Sequence, residues 1–103
     1  MGKAIVAVSI TPVGTGAPSV SRFVAVAEAV LREAGDVAYE LGPMFTSIEG
    51  DLGRILGLIG QMQEAVFAAG AQRVSTVVKI DERRDKETSM RHKVEAVRTQ
   101  GAG

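Results

Sequence analysis

A chain of 103 residues suffices for one domain with a single hydrophobic core. It has no cysteine and one histidine, His92, which excludes disulfides, thiolate chemistry and a multi-histidine zinc centre within one chain. Twelve basic and twelve acidic residues cancel, and one Tyr, three Phe and no Trp leave few stacking platforms, so neither nucleic acid nor a membrane surface is an expected partner.

Hydrophobic residues make up 46% of the chain and the mean hydropathy is +0.15, high for so short a soluble protein. That excess predicts apolar surface covered by partner subunits. The opening Met1-Gly2-Lys3-Ala4-Ile5 lacks signal-peptide character, since its apolar run is broken by Ser9, Thr11 and Pro12. No run approaches the roughly 20 apolar residues of a membrane helix, and the expected location is the cytoplasm.

Residues 3–11 predict a central strand. Ala4, Val6, Val8 and Ile10 alternate with Ile5, Ala7, Ser9 and Thr11, and both sets are mostly apolar or small. The segment from Pro12 to Pro18, with two prolines and two glycines, ends it. Ser19 is the expected N-cap of a helix carrying Val20, Phe23, Val24, Ala27, Val30 and Leu31, stopped at Gly35. Val37, Tyr39 and Leu41 define a second strand. After a turn at Gly42-Pro43, Met44 to Glu49 reads as a third, broken by Gly50. Asp51 is the expected cap of a second helix with the stripe Leu52, Ile55, Leu56, Ile59, Met62 and Val66, ending at Gly70. Gly53, Gly57 and Gly60 cost that helix roughly 1 kcal/mol each, which predicts close packing against them. Arg73 to Asp81 forms a fourth strand, and Thr88 to Arg98 a short helix with sparse apolar residues. Residues 99–103 are expected to be a frayed tail. Residues 1–78 hold five basic and seven acidic groups and residues 79–103 hold seven and five, too small an asymmetry for a nucleic-acid arm.

The order strand, helix, strand, strand, helix, strand predicts an α+β, ferredoxin-like sandwich. Its four-stranded antiparallel sheet carries two helices on one face, through right-handed crossovers, plus a short C-terminal helix. The whole chain, 1–103, is one domain. Ala4, Val6, Val8 and Ile10 should face the two helices. The opposite face should carry Ile5, Ala7, Ser9 and Thr11, with Ser75, Val77, Lys79 and Asp81 of the fourth strand. A face this apolar calls for cover by another sheet or a ligand.

Local motifs carry little chemistry on their own. The loop Thr11-Pro12-Val13-Gly14-Thr15-Gly16 lacks the lysine of a P-loop and the full G-x-G-x-x-G spacing, and is an ordinary turn and helix entry. Lys79 to Asp85 is most simply a solvated strand end with surface ion pairs, His92 a surface residue, and Glu49 an exposed carboxylate on a strand. One histidine supports no Ser-His-acid arrangement.

In combination these segments are more specific. Ile10-Thr11-Pro12-Val13-Gly14-Thr15-Gly16, Pro43-Met44-Phe45-Thr46-Ser47-Ile48-Glu49-Gly50, Arg73-Val74 and Lys79-Ile80-Asp81-Glu82-Arg83-Arg84-Asp85 together resemble the thiamine-binding protein family over about residues 3–98. These are small ferredoxin-like proteins of bacteria, archaea and fungi. Phe45 stands where the family pattern often has Gly. The resemblance implies a homodimer pairing into a homotetramer, with reversible, non-catalytic binding of thiamine or its pyrimidine portion and no other cofactor or metal. The ligand-binding residues it points to are Ser9, Thr11, Phe45, Thr46, Ser47 and Glu49. Lys79 and Arg83 are possible anion contacts.

Thiamine chemistry fits such a set. Its thiazolium is a permanent cation that a carboxylate or an aromatic face favours. Its aminopyrimidine has donor and acceptor edges that Thr, Ser and Glu can match, and leaving those unpaired would cost ~1–3 kcal/mol each. The alternative function is an oligomeric regulatory or structural module of the same fold with no vitamin ligand. An acylphosphatase would need an Arg after the first strand, and residues 12–18 contain none.

Overall fold

The computed structural model describes residues 3–14, 16, 20–85 and 89–102, without the side chains of 92, 101 and 102. Ser19, Thr15, Thr88 and the His92 side chain, on which sequence expectations rest, lie outside the described set. The elements are β1 (Lys3–Pro12), α1 (Ser21–Ala34), β2 (Ala38–Leu41), β3 (Thr46–Asp51), α2 (Leu52–Ala68), β4 (Val74–Glu82) and α3 (Met90–Ala102). The strands form one antiparallel sheet in the order β2-β3-β1-β4, the expected ferredoxin-like arrangement with β1 in its interior.

The faces divide as the alternation predicts. Ala4, Val6 and Val8 of β1 and Ile48 of β3 are buried against Phe23, Ala27 and Leu31 of α1 and Ile55, Leu58, Ile59, Met62 and Val66 of α2. Both helix ends have local causes. Gly35, at φ +74°, takes the left-handed conformation that closes α1. Asp51 Oδ2 accepts from Arg54 N–H at 3.0 Å and caps α2, as expected. At the start of α1, Val20 occupies the cap position and supplies no side-chain hydrogen bond.

Four expectations are corrected. Met44 and Phe45 are not in β3, because the turn from Gly42 to Phe45 is closed by a hydrogen bond from Gly42 N–H to Phe45 O, 2.9 Å, and strand pairing starts at Thr46. A Cβ on Gly42 would lie 2.6 Å from that carbonyl oxygen, so this turn requires glycine. Gly50 does not break β3 but pairs with Ala4, and a Cβ there would approach Val37 Cγ1 to 3.1 Å. α3 continues through the expected tail to Ala102, with Thr99 Oγ1 donating to Glu95 O at 3.0 Å. Finally, Gly57 and Gly60 lie on the exposed side of α2, where an added Cβ would meet nothing within 4 Å. Close packing within the chain does not explain them.

α3 lies on the sheet face opposite α1 and α2. Glu49 and Asp81 both register with Ile5, one from each neighbouring strand, and so form one row across that face. Glu49 Oε2 accepts from Met90 N–H at 3.1 Å, and Asp81 pairs with Lys93 Nζ. One row of the sheet therefore holds the first turn of α3, with an anion at the positive end of the helix. Beyond that turn α3 is exposed, including Val94 and Val97.

Candidate functional site

The register of β3 creates the site. Pairing between β1 and β3 ends at Val8 and Thr46, while β1 continues to Pro12 paired only with β4. The chain before Thr46 turns away through Gly42–Phe45. A notch is left in the sheet, and β1 backbone groups past Val8 have no β3 partner. Alternate residues of this stretch direct N–H and C=O groups toward the notch, the pattern of a free strand edge.

A cavity of about 270 Å³ fills this notch. Its floor is Val8, Ile10 and Met62, its α1 side Val20, Val24, Ala27 and Glu28, and its outer wall the turn from Leu41 to Phe45. Thr46 supplies a hydroxyl at the rim, and Ser9 and Thr11 border the cavity from β1 while alternating to the other sheet face. The volume lies near the lower end of small-molecule sites, and an apolar lining with a few polar groups is their usual composition. An open groove continues along α1 past Glu28 to Arg32.

The residues expected at the site divide between two places. Ser9, Thr11, Phe45 and Thr46 meet at the cavity. Ser47 and Glu49 do not join them. Ser47 pairs with Ala7, and Glu49 with Ile5, on the other face, because successive strand residues point to opposite sides. Glu49 instead lines a cleft beneath α3 with Glu40, Met90, Arg91, Val94, Glu95 and Arg98. Lys79 is exposed on the α3 face opposite Ala7. Arg83 is engaged in a two-pronged pair with Asp85, at 2.6 and 3.0 Å, which holds the guanidinium above its usual pKa. Neither cation lines the cavity.

Glu28 was not among the residues expected from the sequence. Its signal was present: it follows Val20, Val24 and Ala27 at helical spacing, so it interrupts the inward stripe of α1 with a carboxylate.

The model of the thiamine-binding protein family matches residues 6–98. This chain belongs to the thiamine-binding protein family. The relatives are small proteins of similar length. The UPF0045 protein YqgV of Bacillus subtilis is 43% identical over 97 residues, covering 91% of this chain and 93% of that protein. The crystal structure of the hypothetical protein MJ1052 from Methanocaldococcus jannaschii superposes with a TM-score of 0.85 at 38% identity, covering 94% of this chain and 97% of that one. A putative thiamine biosynthesis/salvage protein from Thermotoga maritima superposes with a TM-score of 0.77 at 19% identity, covering 92% and 98%, and so shares the family fold. The notch between β1 and β3 is thus a feature of a member of this family, and the motif segment Pro43–Thr46 that carried the resemblance forms its outer wall.

Proposed function

We propose that this protein binds thiamine or a thiamine-related pyrimidine, reversibly and without catalysis, in the notch cavity. The observation that carries this reading is the cavity itself: an apolar slot of about 270 Å³ with the Thr46 hydroxyl, a free strand edge and one carboxylate at its rim, in a thiamine-binding family member. The aminopyrimidine would satisfy its donor and acceptor edge on the β1 backbone and on Thr46. Phe45 and Met62 would pack on the rings. Among the described residues no hydroxyl of the cavity wall is hydrogen-bonded to Glu28, the one carboxylate there, which supports binding rather than turnover. Calorimetry with thiamine and with its isolated pyrimidine tests the reading. Saturable, stoichiometric heat is expected, with both compounds recovered unchanged. Heat from neither would overturn it.

The working form proposed is a homodimer pairing into a homotetramer in the cytoplasm. β4 is a nine-residue edge strand whose Val77, Val78 and Ile80 are 55%, 38% and 45% exposed, a long apolar edge that calls for a partner. Sedimentation at micromolar concentration should show no major monomer. A fully assembled protein that ignores thiamine would favour the alternative, a regulatory or structural module whose function is its assembly.

A further inference from the structure

We infer that Glu28 is the counter-ion through which the cavity selects a cationic ring over a neutral ring of the same shape. The inference rests on the notch cavity being the thiamine site, and adds the property by which that site discriminates.

Three observations converge on Glu28. It lines both the cavity and the groove that leads from it, half-buried on α1. It is the only charged side chain among the described residues of the cavity wall. It also makes no hydrogen bond or ion pair among the described residues, whereas Asp36, Glu49, Asp51, Asp81 and Glu82 each hold a donor. Arg32, one turn further along α1, lies in the groove and not in the cavity wall. The sequence from 13 to 20, between β1 and α1, contains neither Lys nor Arg. A half-buried carboxylate facing an apolar slot has lost part of its hydration without a protein cation in return. A ligand that brings a fixed positive charge into the slot supplies what is missing, in surroundings where Coulomb attraction is stronger than in water. A neutral ring of equal size fills the same volume and leaves the carboxylate unanswered.

The full chain is titrated by calorimetry at neutral pH with thiamine and with deazathiamine, the neutral isostere in which a thiophene replaces the thiazolium. The wild type should prefer thiamine by about tenfold to a hundredfold, the range of a charge-assisted contact. Glu28→Gln, which keeps size and hydrogen bonding, should bind the two alike through loss of thiamine affinity. Glu33→Gln, the same charge change on an exposed position of α1, should keep the wild-type preference. Val24→Phe, which fills the cavity, should weaken both ligands. A Glu28→Gln protein that still prefers thiamine as the wild type does overturns the counter-ion role and leaves the cavity reading standing. A wild type that binds neither compound, or a Val24→Phe protein that binds both unimpaired, overturns the cavity reading and this inference with it.

Discussion

The two faces of the sheet are made from alternate residues of the same strands, yet they treat polar groups in opposite ways. On the α1–α2 face the side chains are mostly packed apolar groups; Thr76 of β4 and Gln63 of α2 are hydrogen-bonded to each other, and Glu28 and Thr46 border the cavity at the notch. On the other face polar groups sit in the middle of the sheet and are already partnered: Glu49 and Asp81 flank Ile5 and hold the first turn of α3. A carboxylate near a binding family's motif is therefore not enough to mark a ligand contact. What separates Glu28 from Glu49 is whether a donor from the chain occupies it.

The largest effect should come from the packed face. Ile48 is fully buried in the middle of β3, and Ile48→Ala should cost about 2–5 kcal/mol in chemical denaturation. The loss comes from cavity formation between β3 and the helices, so α3 should remain attached in the surviving folded population. A cost below 1 kcal/mol would mean that the interior relaxes around the gap.

The next effect is a gain, and it sharpens where the outside of the helix layer stands. Gly57 and Gly60 face solvent on α2 with open space where a Cβ would go. Gly57→Ala and Gly60→Ala should each stabilise the protein by roughly 1 kcal/mol, the difference in helix propensity. Thermal melts at two protein concentrations check this. Destabilisation or loss of assembly would instead place a second copy against α2, and would move the proposed interface from β4 to the helix layer.

Most of this architecture was legible in the sequence because its signals were periodic. Alternation in β1 separated its faces correctly, and the stripes of α1 and α2 identified most of the buried side; the exception on α2 is Leu56, expected in the stripe but exposed, while Leu58 is buried in its place. Where signals were punctual, tertiary contacts decided. Gly50 reads as a strand breaker but is a strand glycine that lets Val37 approach, and Phe45 alternates like a strand residue but belongs to a turn closed on Gly42. The site was half legible for the same reason. The family-like motif around Thr46 led to the cavity, but treating Thr46, Ser47 and Glu49 as one cluster ignored the alternation that sends Thr46 to one face and Ser47 and Glu49 to the other. Nothing in the motif pointed to Glu28, because its role depends on where β3 stops pairing with β1.

Glu49 offers the direct test of the difference between the faces. Glu49→Ala removes the acceptor for Met90 N–H, a tertiary helix cap worth about 0.5–2 kcal/mol on the scale of side-chain caps. Amide exchange over residues 94–98 should accelerate by about twofold to thirtyfold, with little change in the sheet. Thiamine affinity should stay within about twofold of the wild type, well short of the tenfold that 1.4 kcal/mol represents. A large loss of affinity with α3 still protected would return Glu49 to the binding site and remove the contrast with Glu28.

The smallest effect is the second tether of the same helix turn, and it is read best against pH. The Asp81 carboxyl is held below its usual pKa chiefly by the hydrogen bond from Lys93, then by the charge of Lys93 and, more weakly, by Lys79 and Arg83. A pKa lowered in the folded state makes a contribution that is fully present above the unfolded-state value and is lost as pH falls through the folded one. Protection of α3 attributable to Asp81 should therefore be constant from neutral pH down to mild acid, then fall below the ordinary aspartate range. Lys93→Gln removes the main cause, so most of that decline should disappear. Both partners are about half exposed, so the melting temperature at neutral pH should not move measurably. Exchange of the α3 amides in wild type and Lys93→Gln across the acidic range measures the loss. Superimposable profiles would leave Glu49 as the sole anchor of α3 on its row of the sheet.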